Sequence, residues 1–304
     1  MVRFRKTGRM STNIEDRRGM GGGRTAAIGG GGLGIGGLVL FLLFQFLGGG
    51  GGDLGSVVGE LGAPAAPPAQ QGQRYETGGA ATTDQEQLIS QALDDMQFFW
   101  AEQFQSADRT YEAATLVLYE QGTNTAGCGY GQAAAGPFYC PADEKVYIDL
   151  SFFDQLASQF GAPGDFAQIY VLAHEVAHHV QNELGISSQV RSEQQSNPDA
   201  ANDMSVRLEL QADCLAGVWA YSTYDNNLDG QASDGELVGL ESGDLEEGLK
   251  AAAAVGDDNI QSSSGRNVNP ETWTHGSSEQ RTSWFRRGFD SGDPNQCDTF
   301  SGSV

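Results

Sequence analysis

The stretch Val171-Leu-Ala-His174-Glu175-Val-Ala-His178-His179-Val180 decides how the rest of the chain is read. In an α-helix, positions i and i+4 share a face, so His174 and His178 project together and both imidazoles can reach one ion. Glu175 stands beside the first of them, where its carboxylate can take a proton from water at that ion. The His-Glu-x-x-His spacing therefore points to a catalytic zinc site with its own general base. Val171, Leu172, Val176, Ala177 and Val180 give the segment a buried face. Asp165-Phe-Ala-Gln168 has the pattern of a helix start, and Gly185 is placed to end the helix. Of four histidines in the chain, three fall at 174, 178 and 179. His179 lies about 100° around the helix from His178, which suits a structural role.

Two histidines leave zinc one protein ligand short. Glu209-Leu-Gln-Ala-Asp213 offers two carboxylates at i and i+4 on a second long helix, expected from about Pro198 to Tyr221. Glu209 is the expected third ligand. Asp213 is expected to accept a hydrogen bond from the far nitrogen of a ligating imidazole. Flanking Leu208, Leu210, Ala212, Cys214, Leu215, Val218 and Trp219 argue against a solvated acidic face. His275 has two readings of equal weight: a donor to the oxyanion of a tetrahedral intermediate, or a capping or core histidine. Arg281 is expected to pair with one of the many acids.

Asp225-Asn-Asn227-Leu-Asp229-Gly230, followed after five residues by Glu236, matches the calcium-loop pattern, so Ca2+ at 225–236 is a further expectation beside Zn2+.

Charge is unevenly spread. Seven of the 17 basic residues precede residue 25, together with only two of the 40 acids. The body that follows is strongly acidic and would be repelled by phosphate backbones, so no nucleic-acid partner is expected. Thr25 to Gly52 carries no charge. Within it, Ala26–Leu47 would make about 33 Å of helix, against a hydrocarbon core of about 30 Å. The positive-inside bias then reads residues 1–25 as a cytoplasmic basic tail and 26–48 as a transmembrane signal anchor. It makes the chain a single-pass membrane protein with an extracytoplasmic catalytic domain. Residues 49–84, rich in Gly, Pro, Ala and Gln, read as a flexible linker.

From there to residue 304 the pattern is that of one α+β domain. Thr83-Asp-Gln-Glu86 is a capping box before a helical run through Trp100. Thr115–Tyr119 and Val146–Ile148 are β-rich, and Phe152–Phe160 reads as a short helix. Four cysteines allow two disulfides in three pairings. The Gly-rich turn between Cys128 and Cys140 suits a local bridge, which leaves Cys214 with Cys297.

HEVAHHVQ at 174–181 and ELQADCLAGVWA at 209–220 closely resemble the bacterial neutral zinc metallopeptidase family. So do 136–153, 164–175, 274–289, the closing CDTF at 297–300 and the Gly-rich N-terminal segment. The resemblance implies a zincin-like fold of the glutamate-zincin kind, with His174, His178 and Glu209 on zinc and Glu175 as base. It also implies a single-pass membrane protein. Ala177 stands where that family more often has Gly. The function expected is that of a zinc-dependent endopeptidase acting on polypeptides outside the cytoplasm. The alternative is a non-proteolytic, metal-stabilised binding module on the cell surface.

Overall fold

The computed structural model describes residues 1–4, 7–19, 76–228, 238–241 and 243–304. Its main sheet begins at the very front of the chain. After a two-residue strand β1 (Arg3–Phe4), β2 (Arg9–Asp16) buries Met10 and Ile14 and pairs with β3 (Glu76–Ala80). Helix α1 (Asp84–Ser106) follows, opened by the Thr83–Glu86 capping box, with both reciprocal hydrogen bonds formed. It lays Leu88, Ile89, Ala92, Leu93, Met96 and Trp100 into the core.

Next come β4 (Thr115–Leu118), a small hairpin of β5 (Gly122–Asn124) and β6 (Tyr130–Gln132), then β7 (Phe138–Cys140) and β8 (Lys145–Ile148). Among the described residues the main sheet has the order β3-β2-β4-β8-β7. Ile14 pairs with Leu116 and Leu116 with Val146 in parallel register, while the outer strands β3 and β7 run antiparallel.

Short helix α2 (Ser151–Ser158) leads to α3 (Asp165–Glu183), which carries the His-Glu-x-x-His segment. Its start differs from the Asp165–Gln168 pattern: Gly164 is the N-cap, and the backbone N–H of Phe166 donates to Glu247 Oε2 at 3.1 Å. Gly185 ends the helix in the left-handed region at φ 78°, where a side chain would be strained. Then follow α4 (Ile186–Ser196), the long α5 (Ala201–Leu228), a two-residue strand β9 (Val238–Gly239), α6 (Asp244–Ala254), α7 (Asp257–Ser263) and α8 (Ser278–Ser291).

Helices α5 and α8 cross in backbone contact. A Cβ at Gly217 would collide with the carbonyl of Phe285, and one at Gly288 with the carbonyl of Cys214. Both disulfides form as paired above: Cys128–Cys140 across the turn, and Cys214–Cys297 joining α5 to the C-terminal segment.

This architecture corrects two expectations. The α+β, zincin-like domain behind one N-terminal transmembrane helix is instead a mixed α/β domain whose sheet centre, β2-β4-β8, is parallel. Among the described residues no helix is long and apolar enough to cross a membrane, and residues 26–48 lie outside the described residues. The localisation, N-terminus cytoplasmic and catalytic domain extracytoplasmic, is overturned by β2 itself. A segment hydrogen-bonded between β3 and β4 lies on the same side of any membrane as the strands it joins. Of the basic residues read as a topological signal, Arg17 and Arg18 are ion-paired within the domain, in a cluster that Lys145 completes. Arg17 meets Glu15 at 2.7 Å, Arg18 meets Asp16 and Glu86 at 2.7 Å each, and Lys145 closes on Glu15 at 2.6 Å.

Two predictions concern this frame. Gly288→Ala forces α5 and α8 apart and should cost about 3 kcal/mol in urea unfolding, the upper part of the range for overpacking; an unchanged midpoint would show that the helices can slide apart freely. The second is acid sensitivity. Burial pushes Glu15 up, but hydrogen bonds from Arg17 and Lys145 more than offset it and hold the carboxyl below its ordinary value of 4.5. Asp16 is likewise lowered by Arg18, and Glu86 by Thr82 and Arg18, against the effect of burial. Depressed carboxylates contribute fully above their unfolded pKa and lose that contribution as pH falls through the folded value. Stability should therefore decline as pH drops below 4.5, and less steeply in Glu15→Gln than in wild type.

Candidate metal centre

Helix α3 presents His174 and His178 toward α5, where Glu209 faces both. His174 Nε2 lies 3.1 Å from Glu209 Oε2, and His178 Nε2 lies 3.4 Å from Glu209 Oε1. The three side chains each offer a ligand atom within 4.8 Å of the others, and all are nearly excluded from solvent. Zinc bonds of about 2.0–2.2 Å in tetrahedral arrangement place neighbouring ligand atoms about 3.3–3.6 Å apart, so the donor set fits that ion in type and spacing.

The outer nitrogen of each ring explains why the inner one faces Glu209. His174 Nδ1 lies 2.9 Å from Asp213 Oδ1. Asp213 is fully buried and ionised, so Nδ1 donates and Nε2 turns its lone pair to the Glu209 carboxylate. A lone pair and a carboxylate oxygen 3.1 Å apart repel unless a positive charge lies between them. Burial alone would lower the pKa of His174, yet Asp213, with help from Glu209, raises it to about 10. The field that would hold a proton there favours a divalent cation equally well.

Asp213 is held in turn. Arg281 on α8 donates to both its oxygens, from Nε at 2.8 Å and from Nη2 at 3.0 Å, and the Tyr170 hydroxyl donates to it from α3. Burial pushes Asp213 up, but Arg281 and His174 hold it below the usual carboxylate range. Arg281 also donates to the Val255 carbonyl at 3.2 Å, so its pairing with an acid is a buried one. His178 rests on neutral partners: its Nδ1 lies 2.8 Å from Gln181 Oε1.

Glu175 is buried beside His174, and its carboxylate takes no hydrogen bond among the described residues. Burial raises its pKa, with His174 and His178 opposing. His275 sits on the loop before α8. Its Nδ1 lies 3.1 Å from Asp257 Oδ1, and Asp257 Oδ2 accepts the backbone N–H groups of Thr274, His275 and Gly276 at 2.8, 2.7 and 3.1 Å. Burial would lower the pKa of His275, but Asp257 and then Glu209 raise it, which places the ring in the field of the same centre. The fourth histidine stands apart. His179 donates from Nε2 to the Glu112 carbonyl at 2.6 Å and accepts from the Tyr139 hydroxyl at 3.0 Å, tying α3 to β7.

The expected calcium loop finds no support. Helix α5 continues through its first four positions to Leu228, and 229–237 lie outside the described residues. Asp257, Gln181 and Gln211 were not singled out from sequence. Gln181 was detectable, since i+3 on the same helix face as His178 is a sequence signal. Asp257 and Gln211 were not, because only the packing of α7 and of the C-terminal segment brings them in.

Comparison with known proteins agrees with this chemistry. The chain is 46% identical over 301 residues to "Uncharacterized protein YpfJ" of Escherichia coli (strain K12), which covers 97% of this chain and 98% of that one. It is 51% identical over 178 residues, 58% of each chain, to "Uncharacterized protein Rv2575" of Mycobacterium tuberculosis (strain ATCC 25618 / H37Rv). No solved structure matches, so the zincin-like assignment has no structural counterpart. The model of the family described as "Putative neutral zinc metallopeptidase" matches residues 2–300. With two oriented imidazoles and a carboxylate converging inside that match, the chain belongs to the neutral zinc metallopeptidase family.

Proposed function

We propose that the chain is a zinc-dependent endopeptidase in which His174, His178 and Glu209 hold the ion and Glu175 is the general base. The observation that carries the reading is the convergence of three donor atoms from α3 and α5, each imidazole with a separate partner on its outer nitrogen. Zinc held there supplies a Lewis acid that makes water more acidic and polarises a carbonyl.

The remaining work falls to the chain's own groups. Glu175 accepts a proton at its carboxylate and returns it to the leaving amine. A pKa raised by burial suits both halves of that transfer, because the best shuttle titrates near the working pH. His275 is held by Asp257 through Nδ1, and its other ring nitrogen has no hydrogen-bond partner among the described residues. The cationic form that Asp257 and Glu209 favour can donate from that nitrogen to the oxyanion as negative charge develops on the substrate carbonyl. Asp213 and Arg281 keep His174 in one tautomer and touch no reacting atom.

Glu175→Gln should bind zinc with the wild-type stoichiometry and cleave an unfolded polypeptide about 10²–10⁴-fold more slowly. Equal rates would remove Glu175 from the mechanism. His275→Ala should lower kcat about 10²–10³-fold with a much smaller change in KM. Stoichiometric zinc with no turnover by the wild-type chain on a peptide library would replace this reading with that of a metal-stabilised binding module.

A further inference from the structure

A histidine holds an ion through one ring nitrogen only if the hydrogen is kept on the other, and at His178 no charged group enforces that choice. The partner of its Nδ1 is a carboxamide, which can present either an oxygen or an NH2 group. Gln181 is completely buried, and its other end settles the matter. Gln181 Nε2 lies 2.7 Å from the Leu208 carbonyl. A backbone carbonyl only accepts, so the NH2 must face it and Oε1 must face His178. His178 Nδ1 then has to carry the hydrogen, which leaves the lone pair on the Nε2 that faces Glu209.

The same logic extends one step outward. Gln181 Nε2 also donates to Gln211 Oε1 at 3.1 Å. Gln211 is oriented by a second backbone carbonyl, since its Nε2 donates to Cys297 O at 2.9 Å. Cys297 is disulfide-bonded to Cys214, three residues beyond Gln211 on α5, with the two Cα atoms 5.5 Å apart. Thr299 and Arg207 lace the following residues to the same helix, through Thr299 Oγ1 to Arg207 O at 2.6 Å and Arg207 Nη1 to Thr299 O at 2.6 Å. The outermost acceptor is therefore fixed to the helix that bears Glu209.

We propose that Gln181 and Gln211 are positioning residues, a two-amide relay anchored on the Leu208 and Cys297 carbonyls that forces His178 into the tautomer with a bare Nε2. The effect on metal affinity rests on the zinc reading above; the tautomer is set by the relay whether or not an ion is bound. The disulfide belongs to the relay because it holds the Cys297 carbonyl in place.

The test uses the full-length chain with two readouts. One is nitrogen-15 NMR of the His178 ring in zinc-free protein, at a pH where the ring is neutral. The other is competition for zinc between the protein and a chromophoric chelator. Wild type is expected to show one tautomer, with the hydrogen on Nδ1. In Gln181→Leu both tautomers should appear and zinc should bind about 10–100-fold more weakly, the range for losing a partner of a metal ligand. Gln211→Leu should move both readouts in the same direction by a smaller amount. It carries the test alone if the Gln181 variant does not fold. A hydrogen on Nε2 in the wild type, or a His178 tautomer unchanged in the folded variants, overturns the relay. Should the wild type bind no zinc while the tautomer shifts as described, the relay stands and the zinc reading falls.

Discussion

The centre depends on one fully buried carboxylate. Asp213 lies on α5, takes hydrogen bonds from His174 and Tyr170 on α3, and is clamped by Arg281 from α8. Such a charge is tolerated only when paired, because removing an ion from water costs several kcal/mol that only close, well-directed partners return. Three helices are therefore committed to one arrangement. The backbone contact of α5 with α8 at Gly217 and Gly288 makes it reachable, since Arg281 could not meet Asp213 across a wider crossing. The core that surrounds this pair supplies stability; the pair supplies the alignment.

The two imidazoles are supported by different chemistries. His174 leans on an ionised group, which fixes its tautomer and also draws positive charge toward the Glu209 side of the ring. His178 leans on amides, which orient without adding charge. Two anionic supports beside Glu209 and Glu175 would have accumulated negative charge in a closed space. The mixed arrangement keeps both lone pairs aimed inward with one buried counter-ion, Arg281, sufficient for the outer carboxylate.

The correction at the N-terminus has a physical origin. The positive-inside rule weighs charge locally, and residues 1–24 contain seven basic side chains followed by an uncharged apolar run. Nothing in that local pattern shows that Glu15, Asp16, Glu86 and Lys145 complete an ion-pair cluster with Arg17 and Arg18. Nor does it show that β2 belongs between strands that begin at residues 76 and 115. Strand pairing across such separations is a long-range property. The segment's burial pattern is also broken by a register shift between Met10 and Glu15, which hides the two-residue alternation by which strands are recognised.

Local chemistry was legible without the structure. The i, i+4 spacing of His174 and His178, the carboxylates of Glu209 and Asp213 on an apolar helix, the Thr83–Glu86 box and Gly185 each concern residues within one or two helical turns. At that range 3.6-residue geometry and backbone stereochemistry dictate the outcome. Tertiary structure alone decided what lies across space: Asp257 beneath His275, Gln211 between Gln181 and Cys297, Glu247 at the start of α3, and β2 in the sheet centre. Each joins segments 18 or more residues apart through directional hydrogen bonds. Their identity depends on how the helices cross and which strands pair, and that is a property of the packed whole.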